Sequence, residues 1–224
     1  PESLPPERRV PFEWRRANPL ASLKLLRAHP ELFGLAGVGF LMALAHLVYP
    51  TTFVLYADYR FGWGLEMVGW TLLIVGVLSV IVQGVLVGRT VKWLGERRTV
   101  LFGAAMGFLG FGLYAFAPTG YWFWAVLPVA AMWAVAGPAT QALMTRRVSP
   151  QEQGRLQGAI AGMNSIAGIV GPTIFTQALA FVAAREVEGP LAGAPFLIAA
   201  VMVGLGGLIA WHATRDTGAD AGHA

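Results

Sequence analysis

LFGLAGVGFLMALAHLVYPTTFVLY, residues 32–56, contains no Asp, Glu, Lys or Arg, and its one ionisable group besides the tyrosines is His46. A helix needs about 20 apolar residues to cross about 30 Å of hydrocarbon, so this stretch is long enough to span a bilayer. Five further runs of the same character follow: Met67 to Val87, Thr99 to Ala117, Tyr121 to Met144, Leu156 to Ala183 and Leu191 to Trp211. The mean hydropathy is +0.59 and only 12% of residues are charged, which is more apolar surface than one soluble core buries. The sequence therefore predicts an all-α membrane protein with six transmembrane helices and excludes a soluble α/β architecture.

The basic residues orient it. Arg8, Arg9, Arg15, Arg16, Lys24 and Arg27 precede the first run; Arg89, Lys92, Arg97 and Arg98 separate the second from the third; Arg146, Arg147 and Arg155 separate the fourth from the fifth; Arg215 follows the sixth. Only Arg60 and Arg185 of the sixteen fall in the other gaps. Basic loops resist translocation, so both termini are expected in the cytoplasm of a multi-pass protein of the cell membrane. The net charge of +4 follows from that topology and from attraction to anionic lipid, and nucleic-acid binding is not expected. With no Cys, there is no disulfide, thiol nucleophile or Cys-based metal site, and no cofactor is expected.

The chain opens Pro1-Glu2-Ser3, and its first 31 residues are polar, Pro-rich and charged, unlike a signal peptide. Asn18-Pro19 suits an N-cap and first helical position, leading into an interfacial helix with Leu20, Leu23 and Leu26 on one side. The expected organisation is a cytoplasmic segment over residues 1–31, a membrane bundle over 32–212 and a cytoplasmic tail over 213–224.

None of the six runs holds an Asp or Glu. Acidic groups at membrane depth usually mark proton or cation paths, so this chain by itself offers no carboxylate relay. His46 is an intramembrane ionisable group and a functional candidate, to be weighed against a neutral imidazole bonded to a neighbouring helix. Tyr49, Phe53 and Tyr56 follow on one helical face, with Pro50 between them removing a backbone donor. They suit an aromatic wall for a planar organic substrate, or ordinary packing. Gln83 and Asn164 are candidates to line a cavity, because an amide facing lipid leaves its donors and acceptors unpaired. Gln141 lies near the cytoplasmic end, where solvent reaches it. Stripes of small residues, such as Gly103, Gly107 and Gly110 or Ala200, Gly204 and Gly207, read mainly as close helix packing. Gly137-Pro138 and Gly171-Pro172 are expected to interrupt their spans.

The gap after the second run reads Gly88-Arg89-Thr90-Val91-Lys92-Trp93-Leu94-Gly95-Glu96-Arg97-Arg98. Its glycines suit a tight reversal, and its charges suit pairing across the cytoplasmic mouth. This loop resembles the degenerate second copy of the major facilitator superfamily loop motif through Gly88, Gly95, Arg97 and Arg98, with Lys92 and Glu96 departing from the pattern. A longer resemblance, to the C-terminal half of the tetracycline/proton antiporters, runs through Asn18-Pro19-Leu20-Ala21-Ser22, Arg60-Phe61 with Trp63, Leu94 to Arg98, Pro138-Ala139 with Gln141-Ala142, Gln153-Gly154 with Leu156-Gln157-Gly158, and Gly171-Pro172 with Phe175-Thr176.

That resemblance implies a twelve-span efflux antiporter in the cytoplasmic membrane, with this chain forming its C-terminal six-helix half. The implied partners are an N-terminal six-helix half carrying most of the proton-coupling acidic residues, protons, membrane lipids and a small organic substrate. Where some tetracycline exporters carry an acidic residue in the ninth helix this chain has Gly107, and where some carry His in the eighth it has Ser79, which leaves the substrate open. A sugar, metabolite or siderophore exporter of the same fold is the alternative. An intramembrane enzyme with His46 as base lacks a paired nucleophile or carboxylate at that depth, so no catalytic residue is assigned. A non-transport membrane subunit would need neither polar cavity groups nor the loop motif.

Overall fold

The computed structural model describes residues 30–187 and 189–215, so the expected interfacial helix and all but the start of the C-terminal tail lie outside the described residues. All regular structure among the described residues is helical. The first span is α1 (Pro30–His46) and α2 (Val48–Phe61). The second begins as α3 (Leu65–Ile81), loosens into a π turn at Val82–Leu86 and continues into α4 (Val87–Ala115). The fourth is α5 (Gly120–Ala131), a 3₁₀ turn at Met132–Val135 and α6 (Ala136–Thr145). The fifth and sixth are α7 (Gln153–Ala184) and α8 (Ala194–Ala213).

Leu65–Ala115 is a continuous apolar helical stretch of 51 residues. Straight, it would run about 75 Å at 1.5 Å per residue. Its two ends nevertheless meet: Arg60 Nη2, just before it, donates to the carbonyl of Ala117, just after it, at 3.4 Å. The reversal is at Gly95, where φ is 76° and ψ is 165°, a region open essentially to glycine alone. Residues 65–94 and 96–115 are thus two antiparallel limbs, the second and third spans. This corrects the reading of residues 88–98 as one loop: Gly88 is an exposed helical residue with open space around it, and Gly95 alone makes the turn.

Two end faces follow. Arg60 binds near Ala117, and the Tyr59 hydroxyl donates to Val187 O at 3.1 Å, so the turns after the first, third and fifth spans share one face. On the other, Glu96 pairs with Arg146 at 3.0 Å and Arg97 Nε donates to Thr214 Oγ1 at 3.0 Å. That basic face carries the expected pairing between loops. Because Arg146 is exposed, the ion pair contributes at most about 1 kcal/mol.

Local chemistry explains several breaks. Pro50 has no N–H to offer the carbonyl of His46, four residues back, and the first span breaks at the next residue, Leu47. α2 ends in a Schellman turn, with Gly62 at φ 62° and bonds from Gly62 N to Asp58 O and from Trp63 N to Ala57 O. Gly137-Pro138 lies in the first turn of α6, one residue past the 3₁₀ turn that interrupts the fourth span. Gly171-Pro172 departs from expectation, since α7 continues through it. Gly171 instead gives close approach: a Cβ there would fall 2.5 Å from Leu47 Cδ1, at the first-span break.

Spans one, three, four and six form the centre, with the fifth against the first and the second against the fourth. Glycines set the closest contacts. A Cβ at Gly103 would lie 2.7 Å from the Ala136 methyl, and one at Gly110 2.6 Å from Ala130 Cα, which confirms the third-span stripe as packing. Two apolar clusters form. One is aromatic and fully buried, including Phe53, Tyr56, Phe111, Tyr114, Phe123 and Phe196; the other joins Leu32, Leu35, Met144, Val148 and Leu156 near the basic face.

Candidate functional site

Both clusters border a cavity of about 590 Å³, lined from the first five spans. On the first span its lining runs from Gly39 to Tyr49, between Leu35 of the basic-end cluster and Phe53 of the aromatic one. Ile160, Met163 and Asn164 hold the matching level on the fifth.

His46, Tyr49, Gln83 and Asn164, four of the five residues singled out as substrate candidates, line this one cavity. Phe53 does not. It is 2% exposed and stacks on Phe123 with centroids 5.6 Å apart and planes at 27°, so it belongs to the aromatic floor. Tyr49 joins floor and cavity, with its ring about 6 Å from those of Phe53, Phe111, Tyr114 and Phe196. The buried Tyr114 lies edge-on to Tyr49 with ring centroids 6.0 Å apart, and it also lines the cavity.

The backbone is irregular where the polar groups sit. His46 immediately precedes the first-span break, Gln83 lies inside the π turn, and Trp133 lies inside the 3₁₀ turn. The π and 3₁₀ turns pack on one another. Irregular backbone at membrane depth is tolerated where it faces protein or a wet cavity, and π turns inside helices gather at functional sites. Trp133 stacks on His46 at 5.9 Å with planes at 25°. Gly107 makes room for it: a Cβ there would fall 2.9 Å from Trp133 Cβ and 3.0 Å from Val203 Cγ1. An acidic side chain at that position has no space beside this tryptophan.

Ser79 and Gln141 also line the cavity. Gln141 is exposed near a helix end, as expected, and it also lies on the face that presents Ala134, Gly137 and Pro138 to the cavity. The signal was the recurrence of those residues with helical spacing. What it lacked was a way to tell an open stripe from a packed one, since Gly137 meets nothing within 4 Å where Gly103 meets Ala136. His46, Gln83 and Asn164 are all exposed on the flank of the bundle. Of the loop-motif residues, Gly95 forms the turn, Arg97 ties the third span to the end of the sixth, and Arg98 is exposed with Gly88.

Long apolar helical limbs, with those of the first five spans lining a cavity that holds uncharged polar groups, define a polytopic membrane protein of the transporter class. The Major Facilitator Superfamily family model matches residues 1–172, and the chain belongs to that superfamily. It is similar to the class C tetracycline resistance protein of Escherichia coli, 34% identical over 175 residues, covering 78% of this chain and 44% of the relative. The class G tetracycline resistance protein of Vibrio anguillarum is 37% identical over 164 residues, covering 72% and 41%. Human hippocampus abundant transcript-like protein 1 is 30% identical over 180 residues, covering 78% and 36%. The chain thus spans less than half the length of these curated relatives.

Proposed function

We propose that this chain is the C-terminal six-helix half of a proton-coupled exporter that moves a small, flat organic molecule out of the cell by alternating access. The observation that carries the reading is the convergence of His46, Gln83 and Asn164, from three different spans, on one cavity. The His46–Trp133 stack and Tyr49 offer planar apolar contact, while the amides and Ser79 offer hydrogen bonds. The exposed flank of this cavity is where an N-terminal six-helix half docks, and that half brings the carboxylates for proton coupling. The family likeness to tetracycline resistance proteins supports a drug-like substrate. The crowding at Gly107 and the presence of Ser79 support one other than tetracycline, such as a metabolite of similar size. No catalytic step is assigned to any residue.

In the full transporter, His46→Ala, Gln83→Ala and Asn164→Ala are expected to reorder a panel of transported substrates while leaving the melting temperature in detergent nearly unchanged. Three destabilised variants with unaltered substrate ranking would mean that these groups serve packing. Orientation is checked separately: Cys placed at Asp58 or Arg185 reacts with an impermeant maleimide added outside intact cells, and Cys at Arg98 or Arg155 does not. The reverse pattern would invert the proposed topology, with the basic face no longer cytoplasmic.

A further inference from the structure

On the side of the bundle away from the central cavity, the third and sixth spans leave an apolar groove of about 520 Å³. Its floor is small, because Gly204 and Gly207 face the third span: a Cβ at Gly204 would come 2.9 Å from the Phe108 ring, and one at Gly207 3.1 Å from the Ala104 methyl. Its walls are exposed apolar side chains, among them Phe108, Leu205 and Leu208. One end is charged. Trp211, 47% exposed, has the Arg97 guanidinium 5.7 Å from its ring centroid and that of Arg215 5.9 Å from it. Arg97 spends its Nε on Thr214, which leaves both Nη groups for another acceptor. Among the described residues neither arginine is paired with a carboxylate.

The dimensions match a lipid. From Arg97 to Phe108 the helix rises about 16 Å, and one leaflet contributes about half of the roughly 30 Å hydrocarbon core. The groove therefore begins at a cationic, tryptophan-marked interface and is closed by Phe108 near the membrane midplane. We propose that it seats one acyl chain of an anionic phospholipid from the basic-face leaflet, with Arg97 and Arg215 holding the phosphate. A guanidinium–phosphate contact is charge-assisted, and the flat indole between the two arginines sits where headgroup and acyl chain meet.

The test uses the full transporter in detergent, offered equal amounts of phosphatidylglycerol and phosphatidylethanolamine with identical acyl chains, with retained lipid read by native mass spectrometry. Phosphatidylglycerol should be retained about tenfold more strongly, the scale of a charge-assisted contact. Arg215→Gln should remove most of that preference. Ala105→Phe, which places a ring in the open groove, should reduce retention of both lipids. Equal retention of the two lipids by the unaltered protein overturns the proposal, as does an Ala105→Phe variant that retains both lipids undiminished. If inorganic phosphate raises the melting temperature as much as phosphatidylglycerol does, and does so equally in Ala105→Phe, the arginines bind a free anion and the groove has no part in it, which also overturns the proposal.

Discussion

Proteoliposomes containing only these 224 residues are expected to show no substrate accumulation or expulsion against a proton gradient. The described spans carry no carboxylate at membrane depth, where such groups mark proton paths. The polar groups of the cavity lie exposed on one flank, and alternating access needs a second bundle to move against the first. The second span makes the same point: only 11% of the 18-residue apolar window within Leu65–Ala115 is buried, and Leu72, Leu73, Val77 and Val80 are about half exposed or more. Co-expression with the N-terminal half should restore transport, measured as substrate flux on imposing a pH gradient. Uphill transport by this half alone would require a homodimer of halves or a coupling group other than a carboxylate.

The second large effect is a sign difference between neighbouring glycines. Gly110→Ala should destabilise the protein by about 1–3 kcal/mol, the range for overpacking a tight contact. The new methyl would lie 2.6 Å from Ala130 Cα and 2.7 Å from its Cβ, so the third and fourth spans must move apart. Gly112→Ala, two residues on, meets nothing within 4 Å and should be neutral or stabilising by up to about 1 kcal/mol through helix propensity alone. Melting curves of the two variants in one detergent decide it. Equal effects would mean that the third and fourth spans are not in the contact described.

The apolar helical spans were legible because hydrocarbon thickness acts on stretches of about twenty residues, which a sequence displays directly. The reversal at Gly95 was only half legible. Composition made all of residues 88–98 look like a loop, whereas helical hydrogen bonding carries the chain to Leu94 and a single glycine-specific backbone conformation turns it. Gln83 and Asn164 were legible as cavity residues because an unpaired amide in lipid is costly. Gln141 and Ser79 were not, because water near a helix end, or a bond back to the preceding turn, satisfies such groups equally well. Phe53 shares a helical face with Tyr49, and sequence spacing places both on that face. It does not say at which depth the wall ends and the aromatic floor begins, which depends on Phe123 and Phe196 arriving from other spans. Trp133 carried no signal at all, since its stacking on His46 depends on the missing side chain of Gly107 on a third helix.

In the proposed transporter, His46, Gln83 and Asn164 face a water-filled cavity that substrate enters. Water access is read by placing Cys singly at Gln83, Asn164, Phe53 and Leu205 in a full transporter freed of other cysteines. Each variant is then treated in the membrane with a small, charged methanethiosulfonate reagent. Modification is expected at Gln83 and Asn164, slowed by saturating substrate, and none at Phe53 in the aromatic floor or at Leu205 facing lipid. Unreactive thiols at both Gln83 and Asn164, or modification there that substrate leaves unchanged, would contradict it.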